Sequence, residues 1–379
     1  MRKLFQIIFY IQLILISILV IVLTIRGFVY AARSTNHFRP EKWYPPLLGS
    51  AASAGIVSYL WEWISFHDPS KAIKTALWCD PIPLYLLVNP RFDYATKILT
   101  VYTSFPPDKT ATFVILSIIT CLVYSSFLVT GIGGATATGT GLDILFIIVI
   151  LLTYTWTMQV IKNMLYVTIS RVRYMNFACG ADMNTWIAFR DTVQHLVGRV
   201  CIGSAVVPVI GTIRGSARVM KSVVGGTDEF LFSCADCYSR VASTLITYGN
   251  RWGFVHVGVY NKGFMQASAD TWGAFKTAEL IPLIDSDLTG AFCFFSGVAV
   301  GSICTLVGGT WALAIHKSYA TEVSIYAFFI GYFICRVALA SQQACVSAYY
   351  VAYAENPQSL QFDATIPVRI QELLQRYNV

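Results

Sequence analysis

Residues 144–161 form an apolar run without a single charged side chain, and 4–25 form another. Each is long enough to cross a hydrocarbon core that takes about 20 residues of helix. Composition extends the constraint to the whole chain. Apolar residues make up 56% of the 379 and charged ones 12%, and the mean hydropathy is +0.60, far from a soluble domain. The chain reads as an integral membrane protein of the all-α class, a polytopic helix bundle. Its net charge of +7 is then no nucleic-acid footprint, because Lys and Arg collect in loops beside anionic lipid. The run 4–25 follows Arg2 and Lys3 but exceeds the apolar region of a signal peptide, so it reads as a retained helix.

Spans are expected near 4–25, 47–66, 113–130, 142–170 and 197–213, with a hairpin over 288–344, for about seven in all. The stretch 78–88 is broken by Asp80, Pro81 and Pro83 and is too short to span. The domain plan is a bundle over 1–214, an amphipathic cytosolic segment over 215–287, the hairpin 288–344 and a cytosolic tail 345–379. Basic residues from Arg214 to Lys276 place that third quarter on the inner membrane face. Arg2, Lys3, Arg171, Arg173 and Arg190 oppose the sidedness this implies. Gly131 to Gly141 is glycine-dense and reads as a flexible or re-entrant connection.

Polar residues at membrane depth are costly and face a bundle interior or a water-filled path. Trp156, Gln159, Asn163 and Tyr166 recur at three- and four-residue spacing, which gathers them on neighbouring parts of one helix face. Lys162 either joins them or snorkels to the headgroups. Trp61-Glu62-Trp63 sits near the end of a span, as a binding group or an interfacial belt. Arg336 lies well inside the last span, with a pairing role or a gating one. The ten cysteines follow no disulfide spacing, and Cys234-Ala-Asp-Cys237 has no second pair to complete a metal site. The five histidines form no catalytic or metal arrangement. No enzyme activity, cofactor or metal is expected.

Four motifs carry a family resemblance. They are Trp156-Thr-Met-Gln-Val-Ile-Lys-Asn163 within 151–174, Gly198-Arg-Val-Cys-Ile-Gly-Ser-Ala-Val-Val-Pro208, His256-Val-Gly-Val-Tyr-Asn-Lys-Gly-Phe-Met-Gln-Ala-Ser-Ala-Asp-Thr-Trp272 and Tyr353-Ala-Glu-Asn-Pro357. In this order they resemble the choline transporter-like family, particularly its plant and fungal branch. The resemblance implies a plasma-membrane carrier for choline or a related organic cation, working by facilitated alternating access. It also implies more spans than are counted here, so the chain reads as a shortened member. A quaternary ammonium cannot donate a hydrogen bond from nitrogen, and aromatic faces recognise it at about 2 kcal/mol each when desolvated. The expected binding residues are Trp61, Glu62, Trp63, Tyr154, Trp156, Gln159, Asn163, Tyr166 and Tyr332, with Lys162 and Arg336 as structural or gating groups. The alternative is a non-transporting membrane protein acting on lipid homeostasis or trafficking, or an inactive shortened carrier.

Overall fold

The computed structural model describes residues 2–33, 53–57, 98, 109–136, 141–224, 229–285, 287–315, 317–359, 362 and 366–370. Every regular element among them is helical. They are α1 (Arg2–Arg33), α2 (Thr110–Thr136), α3 (Gly141–Cys179), α4 (Thr185–Asp191) and, after a π-turn at Thr192–Leu196, α5 (Val197–Val224). There follow α6 (Glu229–Tyr248), α7 (Gly253–Tyr260), α8 (Phe264–Thr277) and α9 (Ile281–Asp285). Then come α10 (Thr289–Ile315), a 3-10 turn at Lys317–Tyr319, α11 (Ala320–Ala338) and α12 (Ala340–Glu355). Among the described residues five stretches are long and apolar enough to cross a membrane: Thr110–Ala135, Ile144–Cys179, Thr185–Arg214, Ile281–Ile315 and Lys317–Ala338. The expected count of about seven is therefore not confirmed. The run 4–25 lies in α1, and 47–66 falls outside the described residues except for 53–57.

The chain divides into two compact units, and the division falls within α1, α3 and α12. One unit holds residues 8–165 and 286–346. Its centre is the α10–α11 hairpin, closed by small residues. A Cβ on Gly331 would stand 2.8 Å from Cys304 Sγ, and one on Gly301 would stand 3.0 Å from the Phe328 carbonyl. Helices approach this closely where no hydrophobic effect drives them together and packing must do so. Val123, Leu152 and Leu306, each 66% exposed, turn outward from the same unit. Water would penalise such a surface, whereas lipid tails satisfy it.

The second unit holds residues 1–7, 166–285 and 347–379. Its packing is specified by a buried amide. Asn250 donates from Nδ2 to the carbonyls of Ile246 (3.1 Å) and Ser268 (2.9 Å), and its Oδ1 accepts from Gly253 N–H (3.0 Å). That bracket joins the end of α6 to α7 and α8. Asn261 takes a left-handed φ of 52° and turns the chain from α7 into α8, as the Asn-Lys-Gly sequence leads one to expect.

The structure departs from the sequence reading at two further places. Gly131, Gly133 and Gly134 are not a flexible connection. They continue α2 as far as Thr136 and are buried, because a residue without a side chain is cheap where a helix is enclosed by protein. The second arm of the hairpin expected over 288–344 is not one helix either: α11 stops at Ala338 and α12 starts afresh at Ala340. Residues 345–355 are the continuation of α12. Ala340, Ser341, Ala344, Ser347 and Ala348 are buried, and their small size allows α12 to be enclosed.

Candidate functional site

In the first unit α2 and α3 meet through hydroxyl groups. Tyr154 Oη lies 3.0 Å from Ser125 Oγ, and Tyr124 Oη donates to Thr157 Oγ1 at 3.0 Å. The two tyrosine rings stack with centroids 6.0 Å apart and planes 9° from parallel. Such pairs satisfy polar atoms that would otherwise be stranded in an apolar interior. Tyr154 also meets Phe333 of α11 edge-to-face at 5.7 Å. Beside it lies a cavity of about 20 Å³ lined by Ser125, Leu128, Ile132, Tyr154, Tyr326, Phe329 and other apolar groups. That is room for roughly one water, and a trimethylammonium group is much larger.

Of the expected site residues, Tyr154 lines this cavity. Tyr332 reaches the same aromatic chain through Phe333 at 5.1 Å and stacks on Phe328 at 6.2 Å. Arg336 is half-buried one turn further on. Its Cδ would stand 3.3 Å from a Cβ placed on Gly297, so that glycine makes the space for it. Lys162 and Asn163 are buried, and Trp156 and Gln159 are half-buried, on the same helix as Tyr154. All four take part in interactions. Tyr166 belongs to the other unit, where it packs edge-to-face on Phe254 at 5.8 Å. Trp61, Glu62 and Trp63 lie outside the described residues. Sequence reasoning overlooked Tyr124 and Ser125; the signal was a hydroxyl pair interrupting the apolar run 113–130.

The second unit has a polar cluster of its own. The Glu355 carboxylate accepts hydrogen bonds from Tyr174 Oη and, at 2.8 Å, from Tyr260 Oη, while the two phenol oxygens lie 2.8 Å apart. His256 Nε2 stands 3.0 Å from Glu355 Oε1, at ion-pair distance but off the line of a well-formed hydrogen bond. Burial alone would raise the Glu355 carboxyl. The His256 imidazole and the two phenols outweigh it and hold the group below its ordinary value. Burial, then the Glu355 charge, raises the Tyr260 phenol, which keeps it a donor. His256 and Glu355 each stand in one of the four sequence motifs, yet only the fold brings them together.

A family model described as plasma-membrane choline transporter matches residues 1–358. This chain belongs to the choline transporter-like family. Among its relatives is Protein PNS1 of Mycosarcoma maydis, 26% identical over 221 residues, a match covering 54% of this chain and 42% of that one. Protein pns1 of Aspergillus fumigatus is 24% identical over 222 residues, covering 54% and 41%. A CTL-like protein of Dictyostelium discoideum is 22% identical over 219 residues, covering 54% and 38%. The choline transporter-like chain described here thus spans under half the length of these curated relatives. It is an integral membrane protein of that family.

Proposed function

We propose that this chain is a carrier for choline or a related organic cation in the plasma membrane, working by facilitated alternating access without a chemical step. The observation that carries the reading is the aromatic chain Tyr124–Tyr154–Phe333–Tyr332, set around hydroxyl groups inside membrane-spanning helices. A quaternary ammonium is recognised by ring faces rather than by acceptors for N–H bonds, and the family's description points to the same substrate. The cavity beside Tyr154 is too small for that substrate. On this reading it is the closed remnant of a site that opens when α11 moves away from α2 and α3. No gradient-coupled partner is required, because the membrane potential favours entry of one positive charge by about 2.3 kcal/mol per 100 mV.

Radiolabelled choline uptake by the full chain in proteoliposomes tests the carrier. Uptake that saturates and rises with an inside-negative potential is the expected result. Empty-vesicle rates with a folded, correctly inserted protein would sink it. They would favour the second reading, a non-transporting membrane protein acting on lipid homeostasis or trafficking.

A further inference from the structure

The end of α12 carries an acid where a helix disfavours one. Glu355 is its last residue, the last turn holds no basic side chain, and the macrodipole there is negative. Tertiary contacts must hold the carboxylate in place, and they come from two other helices: Tyr174 from α3, and His256 and Tyr260 from α7.

The residues that follow Glu355 turn back over the end of α3. That end has carbonyls left without helical partners. Gly180, with φ of 65°, turns the chain and returns its N–H to the Asn176 carbonyl at 2.9 Å. Two further donors come from the segment after α12: Asn356 Nδ2 to the Ala178 carbonyl at 3.2 Å and Ser359 Oγ to the Phe177 carbonyl at 2.7 Å. Phe362 then stacks on Phe177 at 6.2 Å and meets Tyr349 and Tyr353 at 5.3 Å each. The segment is therefore a strap with a polar fastening at Glu355 and an aromatic anchor at Phe362.

The two fastenings differ in how they meet water. Phe177 is buried, but the Glu355 side chain is 24% exposed and Tyr260 is 44% exposed. Water reaching the carboxylate replaces a phenol donor at nearly equal enthalpy. The helix dipole and the burial of charge both oppose the closed arrangement. Two phenol donors and the His256 contact together support it.

We propose that Glu355 is a releasable latch: its bonds from Tyr174 and Tyr260 and its pairing with His256 hold the strap of residues 356–359 and Phe362 closed over the end of α3, and their release frees the strap. The strap's part in transport rests on the carrier reading, since α3 is also the helix that bears Tyr154.

The test uses the full chain in vesicles with Cys79, Cys179, Cys234 and Cys237 replaced and a reporter at the half-buried Ala178→Cys, which leaves the Ser359 hydroxyl in place. Maleimide labelling of the reporter follows strap opening. Labelling is expected to be about tenfold faster in Glu355→Gln, which corresponds to about 1.4 kcal/mol, and several-fold faster in Tyr260→Phe. Tyr260→Phe deletes one half-exposed hydroxyl and so guards against a folding defect. Lys276→Ala, at an exposed position, should not change the rate. Equal rates in the parent, Glu355→Gln and Tyr260→Phe overturn the latch. Choline uptake is then measured after a bulky maleimide has trapped the strap open, and a fall is expected. Uptake at the unlabelled rate overturns the strap's role in transport, whereas absence of uptake before any labelling fails the carrier reading instead.

Discussion

Tyr154 and Ser125 face each other across α3 and α2 with their oxygens 3.0 Å apart, and the Tyr154 ring forms one wall of the small cavity. The hydroxyl and the ring therefore have separable tasks. Tyr154→Phe keeps the π face and loses one hydrogen bond, costing about 1 kcal/mol of stability. Tyr154→Ala loses the face as well and should raise the KM for choline about tenfold or more, given about 2 kcal/mol for a desolvated cation–π contact. Uptake kinetics of the two variants at matched expression decide the matter. Equal losses would assign Tyr154 to packing alone.

Two glycines of the α7–α8 pair should respond in opposite directions to alanine. A Cβ on Gly253 would stand 2.8 Å from Ser268 Cα and 2.9 Å from its backbone nitrogen, atoms that cannot step aside. Gly253→Ala is expected to destabilise by about 1–3 kcal/mol, the usual penalty of overpacking. Gly273 lies inside α8 with nothing within 4 Å of the added carbon. Gly273→Ala should stabilise by up to about 1 kcal/mol through helix propensity. Thermal unfolding in detergent gives both signs.

The strap should respond to acid through Glu355. Its carboxyl is held below the ordinary value of 4.5 in the folded protein. A depressed acid contributes stability that is fully present above the unfolded value and is lost as pH falls through the folded one. Exchange of the Asn356, Gln358 and Ser359 amides, corrected for intrinsic rate, should accelerate as pH falls below 4.5. Acceleration that starts in the neutral range would show that the carboxylate is not what fastens the strap.

Sidedness can be read at Lys262, whose Nζ pairs with Asp270 Oδ2 at 2.5 Å and lies 5.3 Å from the centre of the Tyr260 ring. With the basic third quarter of the chain on the inner face, Lys262→Cys should react with a membrane-impermeant thiol reagent only after cells are opened. The background must lack reactive native thiols. Reaction in intact cells would reverse the orientation.

The sequence by itself determined the solvent and the class of secondary structure. Runs such as 144–161 leave a chain little choice but to span a bilayer, and that follows from local composition. The same local logic placed Tyr154, Trp156, Gln159, Lys162 and Asn163 on one helix and the turn at Asn261. It could not tell a glycine cluster in a loop from one in an enclosed helix. Gly131 to Gly134 look alike in both settings, and the deciding factor is what packs against them. Nor could it find the break at Leu339, since apolar and small residues continue on either side of it. Tertiary structure alone decided which polar groups meet. Ser125 is 29 residues from Tyr154, and Glu355 is 181 residues from Tyr174 and 95 from Tyr260. Hydrogen bonds depend on distances of about 3 Å, and no local pattern in a chain encodes a separation in space between residues so far apart along it.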